Sequence, residues 1–435
     1  MKRRLFFGLI MKTIEKIYQL YSQKYIVTTD SRKVEPGCVF VALKGEHFDG
    51  NDFAYQVAND NVAACVIADR KDLPHHERLF IVDDSMTALQ ELAKLHREKC
   101  NTPIIGITGT NGKTTTKELV ASVLSQKYNI IYTQGNFNNH LGVPLTLLQI
   151  RPETEIAVVE MGANHPKEIE LLCSLAQPNF GIITNIGKAH IEGFGSFEGV
   201  VKTKNELYDY LRNNNGKVFL NNDNQLLKDL AKDLNFVSYG KDNNADYHAT
   251  IISSNPYLSI NWNGKEINTR LVGEYNFENV MAAITAGCQF NIEQELIIKA
   301  LENYFPTNNR SQFIKTEKNE VVMDAYNANP VSMYNSIKNF RNISDDNHLL
   351  ILGDMKELGN ESLNEHQEIL NLIKELEFCN VILVGTEFNK INNEFQSFLN
   401  VDELISHINQ NEISGKKILV KGSHSIHLEK LINIL

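Results

Sequence analysis

Residues 104–115 read Ile-Ile-Gly-Ile-Thr-Gly-Thr-Asn-Gly-Lys-Thr-Thr, and they set the expectation for the whole fold. An apolar run of strand type leads into a glycine-containing turn, and a helical pattern begins at Lys113. In such a unit the backbone N–H groups of the turn and of the helix start point at one spot, where they attract an anion. Lys113 adds a mobile positive charge, and the Thr114 hydroxyl lies where a phosphate-bound Mg²⁺ ion needs a ligand. The stretch predicts a cradle for the phosphates of a nucleoside triphosphate, with ATP expected.

This loop departs from the standard phosphate-loop pattern, in which Gly is followed by four residues and then by Gly-Lys. Gly109 precedes Gly112 by only three positions, and Ile107 stands where the first Gly of that pattern would be. A plain strand–turn–helix unit is the alternative, but a chance Gly-Lys-Thr seldom follows an apolar strand and opens a helix. We predict that ATP is bound by Gly109, Thr110, Asn111, Gly112, Lys113, Thr114 and Thr115.

Composition limits the class of protein. A chain of 435 residues with 42% apolar content predicts two or three domains with sizeable cores. The net charge of −10 argues against a nucleic-acid partner. Six scattered cysteines without a Cys-x-x-Cys pair indicate a reducing compartment and no structural zinc.

The first ten residues resemble a signal peptide, because basic residues precede a short apolar run. However, the run has about the minimum length for such a segment, no small-residue cleavage site follows, and Glu15 and Lys16 interrupt it. We therefore expect a cytoplasmic protein without a membrane span, and Met11 is an alternative translation start.

Alternating strand and helix patterns predict an α/β protein with three domains. We place a small α/β N-terminal domain at 1–100, a central, mostly parallel ATPase domain at 101–307 and a smaller Rossmann-like domain at 308–435. In the central domain, strands are expected at 104–108, 156–160, 180–184 and 218–221, with helices at 113–126, 166–175, 197–211 and 276–290. In the C-terminal domain, strands are expected at 321–324, 349–352, 381–384 and 418–421, with helices at 330–340, 364–377 and 401–410. An opening helix is expected at 12–23.

Polar residues at strand ends are the candidates for chemistry. Glu160 ends an apolar strand and can hold Mg²⁺, although a solvent-facing Glu is the alternative. His190 follows the next strand, and a metal ligand and a structural histidine are equally good interpretations. Lys204, taken alone, is best interpreted as a solvated helix lysine.

Three further positions have two interpretations each. Asn276 and Asn279 share a helix face and suit an adenine edge, but they also suit helix capping. Asp324 ends a strand where a carboxylate can hold ribose hydroxyls, whereas Asn327 and Asn329 of the same motif could equally be turn residues before Pro330. Arg32 could meet a diphosphate, but a plain surface loop is an equal alternative.

Taken together, these motifs resemble the muramyl-peptide ligases of bacterial cell-wall synthesis, and within that family the branch that adds a dipeptide. The motifs that carry the resemblance are Asp-Ser-Arg (30–32), the 39–45 run, the 109–118 loop, Thr-Gln-Gly-Asn-Phe-Asn-Asn-His-Leu-Gly-Val-Pro-Leu-Thr (133–146), Glu-Met-Gly-Ala-Asn-His-Pro (160–166), Tyr-Asn-Ala-Asn-Pro (326–330), Gly-Asp-Met-Lys-Glu-Leu-Gly (353–359) and Val-Lys-Gly-Ser (420–423). The 109–118 loop marks the wider ligase superfamily. The Gly-Asn-x-Asn-Asn run within 133–146, the Glu-Met-Gly-Ala-Asn run within 160–166 and the 326–330 run are much more specific to the dipeptide-adding branch. The Asp-Asn-Pro-Arg signature expected of the branch that adds a diamino acid is absent.

The resemblance implies an ATP-dependent amide ligase that joins UDP-N-acetylmuramoyl-tripeptide to D-alanyl-D-alanine through an acyl phosphate. It implies catalytic roles for Lys113, Glu160, His190 and Lys204, and N-carboxylation of Lys204, since the run Asn-Glu-Leu-Tyr follows it. Two Mg²⁺ ions would be held by Thr114, Glu160, His190 and the modified Lys204. Nucleotide contacts would come from Asn276, Asn279, Arg310 and Asp324. Substrate contacts would come from Ser31, Arg32, Asn136, Asn138, Asn139, Tyr326, Asn327 and Asn329. A monomer is expected.

Two positions differ from what this family leads one to expect. Tyr275 stands where relatives often have His, and His424 stands where they usually have Arg. The second difference bears on ligand affinity and not on the reaction class, because His offers fewer donors and a conditional charge.

Two other functional classes compete with this interpretation. A sister ligase that adds one amino acid, or a folate polyglutamate ligase, shares the ATP loop, but the 133–146 and 326–330 runs argue against both. A nucleotide-gated regulatory protein would need no second metal site, so Glu160, His190 and Lys204 argue against it.

Overall fold

The computed structural model describes residues 2–189, 191–307, 309–343 and 347–435, with side chains from residue 11 onward. Four β-sheets are formed within these ranges, and parallel pairing dominates three of them. Helices connect most successive parallel strands, so the predicted α/β class is confirmed. In the described part of the chain, every helix is too short or too polar to cross a bilayer.

The N-terminal sheet is parallel throughout and has the strand order β1-β2-β3-β4. Its strands are β1 (Val27–Thr28), β2 (Val39–Val41), β3 (Cys65–Ala68) and β4 (Leu79–Ile81). Its helices are α1 (Lys2–Tyr21), α2 (Asn51–Asn59) and α3 (Ser85–Lys99). The Asp84 side chain accepts from the backbone N–H of Thr87 and so caps α3.

The central sheet is parallel and has the order β11-β10-β9-β8-β5-β7-β6. Its strands are β5 (Ile104–Thr108), β6 (Ile130–Tyr132), β7 (Ile156–Glu160), β8 (Phe180–Ile183), β9 (Lys217–Asn221), β10 (Asn235–Gly240) and β11 (Tyr247–His248). The connecting helices are α4 (Lys113–Leu124), α5 (Gly142–Leu147), α6 (Glu168–Ala176), α7 (Ile191–Phe194), α8 (Phe197–Asn213) and α9 (Gln225–Leu230). The strand β5 lies between β8 and β7, so the ends of three neighbouring strands converge at its carboxyl edge.

A small antiparallel sheet follows the central sheet. Its strands are β12 (Thr250–Ser253), β13 (Tyr257–Trp262) and β14 (Lys265–Val272), and α10 (Phe277–Gln289) and α11 (Gln294–Asn303) come next. Helix α10 packs against α4, so the helix that opens at Lys113 is supported from behind.

The C-terminal sheet has the order β15-β16-β20-β17-β18-β19, and only its edge strand β15 is antiparallel. Its strands are β15 (Gln312–Lys315), β16 (Glu320–Asp324), β17 (His348–Gly353), β18 (Val381–Val384), β19 (Gln396–Phe398) and β20 (Lys417–Lys421). Its helices are α12 (Pro330–Ile343), α13 (Ser362–Glu375), α14 (Thr386–Asn389) and α15 (Val401–Gln410).

The hydrophobic clusters show how the predicted domains pack against one another. One cluster runs from Ile14 to Leu234 and joins the N-terminal sheet's helices to one face of the central sheet. Two other clusters fill the two faces of the C-terminal sheet, and Val272 and Tyr257 of the small sheet pack with one of them. The boundaries after 100 and 307 stay a prediction, but the core shows that the first junction is apolar.

Candidate functional site

The phosphate loop has the backbone that the sequence predicted. Gly112 precedes α4 with a φ of 78°, and a Cβ placed there would lie 2.6 Å from Oδ1 of Asn279. Both the conformation and the close approach therefore require glycine. The Lys113 ammonium donates hydrogen bonds to the carbonyl oxygens of Gly109 (2.8 Å) and Thr110 (3.0 Å). Burial lowers the pKa of Lys113, the Glu160 carboxylate opposes this effect, and Arg310 adds to it.

The segment after β8 fixes the loop from the other side. The backbone N–H of Asn111 donates to Oδ1 of Asn185 (3.0 Å), and the Thr184 hydroxyl donates to the Asn111 carbonyl (2.6 Å). The Thr110 hydroxyl exchanges hydrogen bonds with the backbone of Gly187. Because two chain segments hold the loop, its remaining N–H groups are preorganised for an anion.

Glu160 ends β7 beside the loop and is buried. Its Oε1 accepts from Nδ2 of Asn138 (2.8 Å), whereas its Oε2 is buried without a hydrogen-bond partner in the described part of the chain. A buried, unpaired carboxylate oxygen is costly unless something binds it, and a hard divalent cation is a fitting partner. This oxygen and the Thr114 hydroxyl therefore suit Mg²⁺. His190, the other predicted ligand, lies outside the described residues.

Lys204 lies on α8 and is buried, so the interpretation as a solvated helix lysine is wrong. Its Nζ lies 3.4 Å from the Ala163 carbonyl oxygen and 5.3 Å from the centre of the Phe194 ring. Burial and repulsion by Lys113 lower the pKa of Lys204 to about 7, although Glu168 and Glu206 act in the opposite direction. A substantial fraction of this amine is therefore neutral near neutral pH.

One cavity of about 770 Å³ lies between the central and the C-terminal sheets, and it collects most of the predicted site. The predicted residues that line it are Thr110, Asn111, Gly112, Lys113, Thr114, Thr115, Asn136, Asn138, Asn139, Glu160, Asn276, Asn279, Arg310, Asp324, Tyr326, Asn327 and Asn329. Gly109 and Lys204 are not among the residues that line it. Ser31 and Arg32 do not line it, and Arg32 instead forms an exposed ion pair with Asp30 (2.9 Å).

The two helix amides join α10 to the phosphate-loop helix. Asn276 Nδ2 donates to the Val272 carbonyl (2.8 Å), and Asn279 Nδ2 donates to Oδ1 of Asn276 (2.8 Å). The Thr116 hydroxyl donates to Oδ1 of Asn279 (2.9 Å). Asn276 occupies the N-cap position of α10 but makes no capping hydrogen bond there, so the capping interpretation is wrong for its side chain. A contact with adenine stays a prediction.

On the opposite wall, Asp324 is already well bonded. Its carboxylate pairs with Lys421 (2.6 Å), accepts from the Ser336 hydroxyl (2.9 Å) and accepts from the backbone N–H of Ser311 (3.2 Å). Asp324 and Lys421 are opposite one another in the register of β16 and β20. Asp324 therefore holds Ser311 and Lys421 in place, and its contact with ribose stays a prediction.

The Arg310 guanidinium, also on the C-terminal side of the cavity, packs against an aromatic ring. The Arg310 guanidinium lies 3.7 Å from the centre of the Tyr326 ring, and His424 stacks near the same ring at 5.8 Å with an interplanar angle of 21°. His424, which departs from the expected Arg, thus has a packing partner in this structure.

A pair of amides crosses the cavity. Asn329 Nδ2 donates to Oδ1 of Asn111 in the phosphate loop (2.7 Å), and Asn329 Oδ1 accepts from the backbone N–H of Ser332 at the start of α12 (2.9 Å). Asn327 Oδ1 bonds locally to the N–H of Ala328. Nucleotide-loop and C-terminal residues are therefore in direct contact.

Comparison with known proteins shows which family has this combination of a phosphate loop and a C-terminal domain. Family models match residues 24–97 (Mur ligase family, catalytic domain), 107–287 (Mur ligase middle domain) and 309–424 (Mur ligase, glutamate ligase domain). A Bacillus subtilis protein named UDP-N-acetylmuramoyl-tripeptide--D-alanyl-D-alanine ligase is 34% identical over 98% of this chain and 99% of its own length. An Escherichia coli protein of the same name is 34% identical over 94% of this chain and 93% of its own length. The chain belongs to the Mur ligase family.

Solved structures of the Mur ligase family agree with the fold. A MurF crystal structure from Acinetobacter baumannii has a TM-score of 0.84 at 31% identity, covering 94% of this chain and 92% of that one. A MurF ligase structure from Thermotoga maritima in complex with ADP has a TM-score of 0.82 at 27% identity, covering 94% and 96%. The predicted three-domain α/β architecture is thus confirmed.

Sequence reasoning about this Mur ligase missed several residues. Glu206 accepts backbone N–H bonds from Lys167 (2.9 Å) and Glu170 (2.8 Å), so it ties the start of α6 to the helix that carries Lys204. His165 and Glu168 line the cavity and pair with each other. Their only sequence signal was their place in or directly after the 160–166 motif, which contains His165. Lys421 was noted within a motif but not as the partner of Asp324.

Proposed function

We propose that this chain forms the amide bond between the terminal carboxylate of UDP-N-acetylmuramoyl-tripeptide and the amine of D-alanyl-D-alanine, with ATP as the energy source. The observation that carries the proposal is the match, along nearly the whole chain, to relatives that bear this activity in their names. The cavity supports it, because it combines a phosphate loop with the 326–329 segment from another domain. A chain adding a single amino acid is not favoured.

The first step activates a carboxylate, which is too poor an electrophile for an amine to attack directly. One carboxylate oxygen of the tripeptide attacks the γ-phosphorus of ATP, the bond to the β,γ-bridging oxygen breaks, and an acyl phosphate and ADP form. Lys113 and Arg310 neutralise negative charge on the transferring phosphoryl group. Thr114, Glu160 and His190 would hold Mg²⁺ beside the triphosphate, where its charge stabilises the same group.

Lys204 would serve as a metal ligand after N-carboxylation. A lysine cation would be repelled by Lys113 and by a divalent ion, whereas a carbamate offers anionic oxygen ligands for a second Mg²⁺. Carbamate formation needs a neutral amine, and the buried Lys204, with its pKa of about 7, supplies one. The tie between Glu206 and α6 would hold this side chain at the cavity wall.

In the second step the dipeptide amine displaces phosphate from the acyl carbon. Water would compete with the amine, so the site must be covered. The Asn111–Asn329 contact and the ion pair between Lys188 and Glu365 (3.2 Å) hold the C-terminal domain over the loop.

The remaining assignments are part of the same proposal. Nucleotide contacts come from Asn276, Asn279, Arg310 and Asp324. Substrate contacts come from Asn136, Asn138, Asn139, Tyr326, Asn327 and Asn329, with Ser31 and Arg32 at the UDP diphosphate. We further propose a cytoplasmic monomer.

The test is phosphate release by the purified protein with ATP and Mg²⁺, combined with product mass. Release is expected to need both UDP-N-acetylmuramoyl-tripeptide and D-alanyl-D-alanine and to yield the pentapeptide product. Release with a single amino acid in place of the dipeptide would assign the chain to a sister ligase. ATP turnover that ignores both substrates would contradict a ligase function.

A further inference from the structure

The coupling step, if the proposed function holds, requires a proton acceptor. An α-amino group has a pKa of about 8, so the dipeptide amine enters mostly as an ammonium ion near neutral pH. An ammonium has no lone pair and cannot attack the acyl carbon. A group near the acyl phosphate must therefore remove one proton first.

Several acidic side chains that line the cavity have other partners. Asp324 is paired with Lys421 and Ser336, and Glu160 accepts from Asn138 and faces the proposed metal position. Burial raises the pKa of Glu278 on α10, and a hydrogen bond with the Asn221 side chain opposes this effect. Two imidazoles line the cavity in the described part of the chain, those of His140 and His165.

His165 has the geometry of a general base. Its Nδ1 lies 3.3 Å from Oε1 of Glu168, and an ionised carboxylate can only accept, so Nδ1 carries the proton and Nε2 keeps a free lone pair. Oε2 of Glu168 accepts from the backbone N–H groups of Asn164 (2.7 Å) and His165 (3.0 Å), which holds the carboxylate in place. The His165 side chain is 65% exposed, so Nε2 is accessible from the cavity.

The position of His165 in the chain places it on the wall where phosphoryl chemistry is expected. It follows Glu160 by five residues, and between them the Ala163 carbonyl lies 3.4 Å from Nζ of Lys204. His140, by contrast, has a backbone carbonyl that accepts from Gln90, and no carboxylate is seen to orient its ring among the described contacts.

We propose that Nε2 of His165, oriented by Glu168, removes a proton from the dipeptide ammonium. The free amine then attacks the acyl carbon, forming the C–N bond, and the C–O bond to phosphate breaks with its electron pair on the phosphate. The second amine proton leaves with the phosphate as HPO₄²⁻, and the imidazolium of His165 returns its proton to solvent. His165 is thus a catalytic residue of the coupling step only.

Hydroxylamine distinguishes proton removal by His165 from a role in forming or holding the acyl phosphate. It is largely unprotonated at neutral pH, so it can attack an acyl phosphate without the help of a base. The full-length protein is supplied with ATP, Mg²⁺ and the UDP-linked tripeptide, and then with either D-alanyl-D-alanine or hydroxylamine. For His165→Gln we expect dipeptide coupling to fall about 100-fold, while hydroxamate formation stays within about twofold of wild type. For Glu168→Gln we expect the same pattern with a loss of about tenfold.

The other outcomes are decisive as well. An equal loss with both nucleophiles would mean that His165 helps to form or hold the acyl phosphate, and it would overturn the base assignment. Unchanged dipeptide coupling in His165→Gln would also overturn it, as would a selective loss in His140→Gln instead. If the wild-type protein forms neither the pentapeptide product nor hydroxamate, the proposed ligase function itself fails, which is a different result.

Discussion

The two junctions between domains are built in opposite ways. At the first, helices α1 and α3 of the N-terminal domain share one continuous hydrophobic cluster with α5 and α6 of the central domain. Arg97 crosses this junction from α3 and donates to the carbonyls of Ala176 and Gln177 and to Oδ1 of Asn179. The Tyr21 hydroxyl crosses it too, donating to the Leu148 carbonyl (2.7 Å).

The second junction, between the central and the C-terminal domain, encloses the polar cavity. Its direct links include the Asn111–Asn329 amide pair and the Lys188–Glu365 ion pair, in which the lysine side chain is largely exposed. Polar links of this kind exchange with water at little net cost, whereas separating the first junction would expose apolar surface. Domain motion and ligand entry are therefore expected at the second junction, and the first two domains should move as one body.

The contrast predicts that a substitution in the catalytic site beside the second junction abolishes activity without unfolding the protein. Lys204→Ala should lower ligase activity about 10³-fold, because a metal ligand is lost, while the thermal unfolding temperature changes little. A short carboxylic acid such as formate should restore part of the activity by replacing the carbamate. The matched control is Lys202→Ala, which removes an exposed lysine of the same helix and should leave activity unchanged. Full activity in Lys204→Ala would remove the carbamate from the mechanism.

Damage at the first junction should do the reverse. Arg97→Ala removes the donor of the buried Ala176 carbonyl and of the part-buried Cys100 and Gln177 carbonyls, and it should lower the free energy of unfolding by about 3 kcal/mol. Activity per folded molecule should stay within about twofold. The matched control is Arg212→Ala, a more exposed arginine within the central domain that should cost less than about 1 kcal/mol. Urea unfolding measures both; equal effects would mean that Arg97 does not hold the domains together.

The sequence predicted those elements whose pattern is local and strong. The strands Ile104–Thr108, Ile156–Glu160 and Val381–Val384 and the helix Val401–Gln410 have the predicted bounds, because the strands are continuous buried runs and the helix has a clear apolar face. The edge strands β15 and β19 were missed, and so was β10, which lies between β9 and the two-residue edge strand β11. Partly exposed strands have a weaker pattern and depend on a neighbour for pairing. The opening helix, predicted for 12–23, begins at Lys2.

The candidate site also has parts that local sequence predicts and parts that depend on long-range packing. The phosphate loop was predictable because strand, turn and helix are contiguous, so local sequence fixes the N–H geometry. The burial of Lys204 could not be predicted from the local sequence, because it results from the packing of α8 against α6 and α7. The Asn111–Asn329 pair joins residues 218 positions apart, and no local pattern reveals such a contact.

At the second junction, the Tyr326 ring should tune activity by a moderate amount. Tyr326→Leu removes the face on which the Arg310 guanidinium lies and should weaken kcat/KM for ATP about tenfold, in the range of a partly desolvated cation–π contact. Tyr326→Phe keeps the ring and should retain most of the activity. Steady-state kinetics with varied ATP compares the two variants. An equal loss in both would mean that the hydroxyl matters rather than the ring face.

At the first junction, a single hydroxyl should give the smallest effect. Tyr21→Phe leaves the Leu148 carbonyl without its donor across the junction and should cost about 1 kcal/mol of unfolding free energy. Tyr128→Phe is the matched control, because it removes a similar bond to the Phe290 carbonyl (2.8 Å) within one domain. Hydrogen exchange separates the two: only Tyr21→Phe should speed amide exchange in α3 and α5, the helices that meet at the junction. Faster exchange at the C-terminal domain instead would show that the first junction is not the rigid one, and the contrast between the junctions would fail.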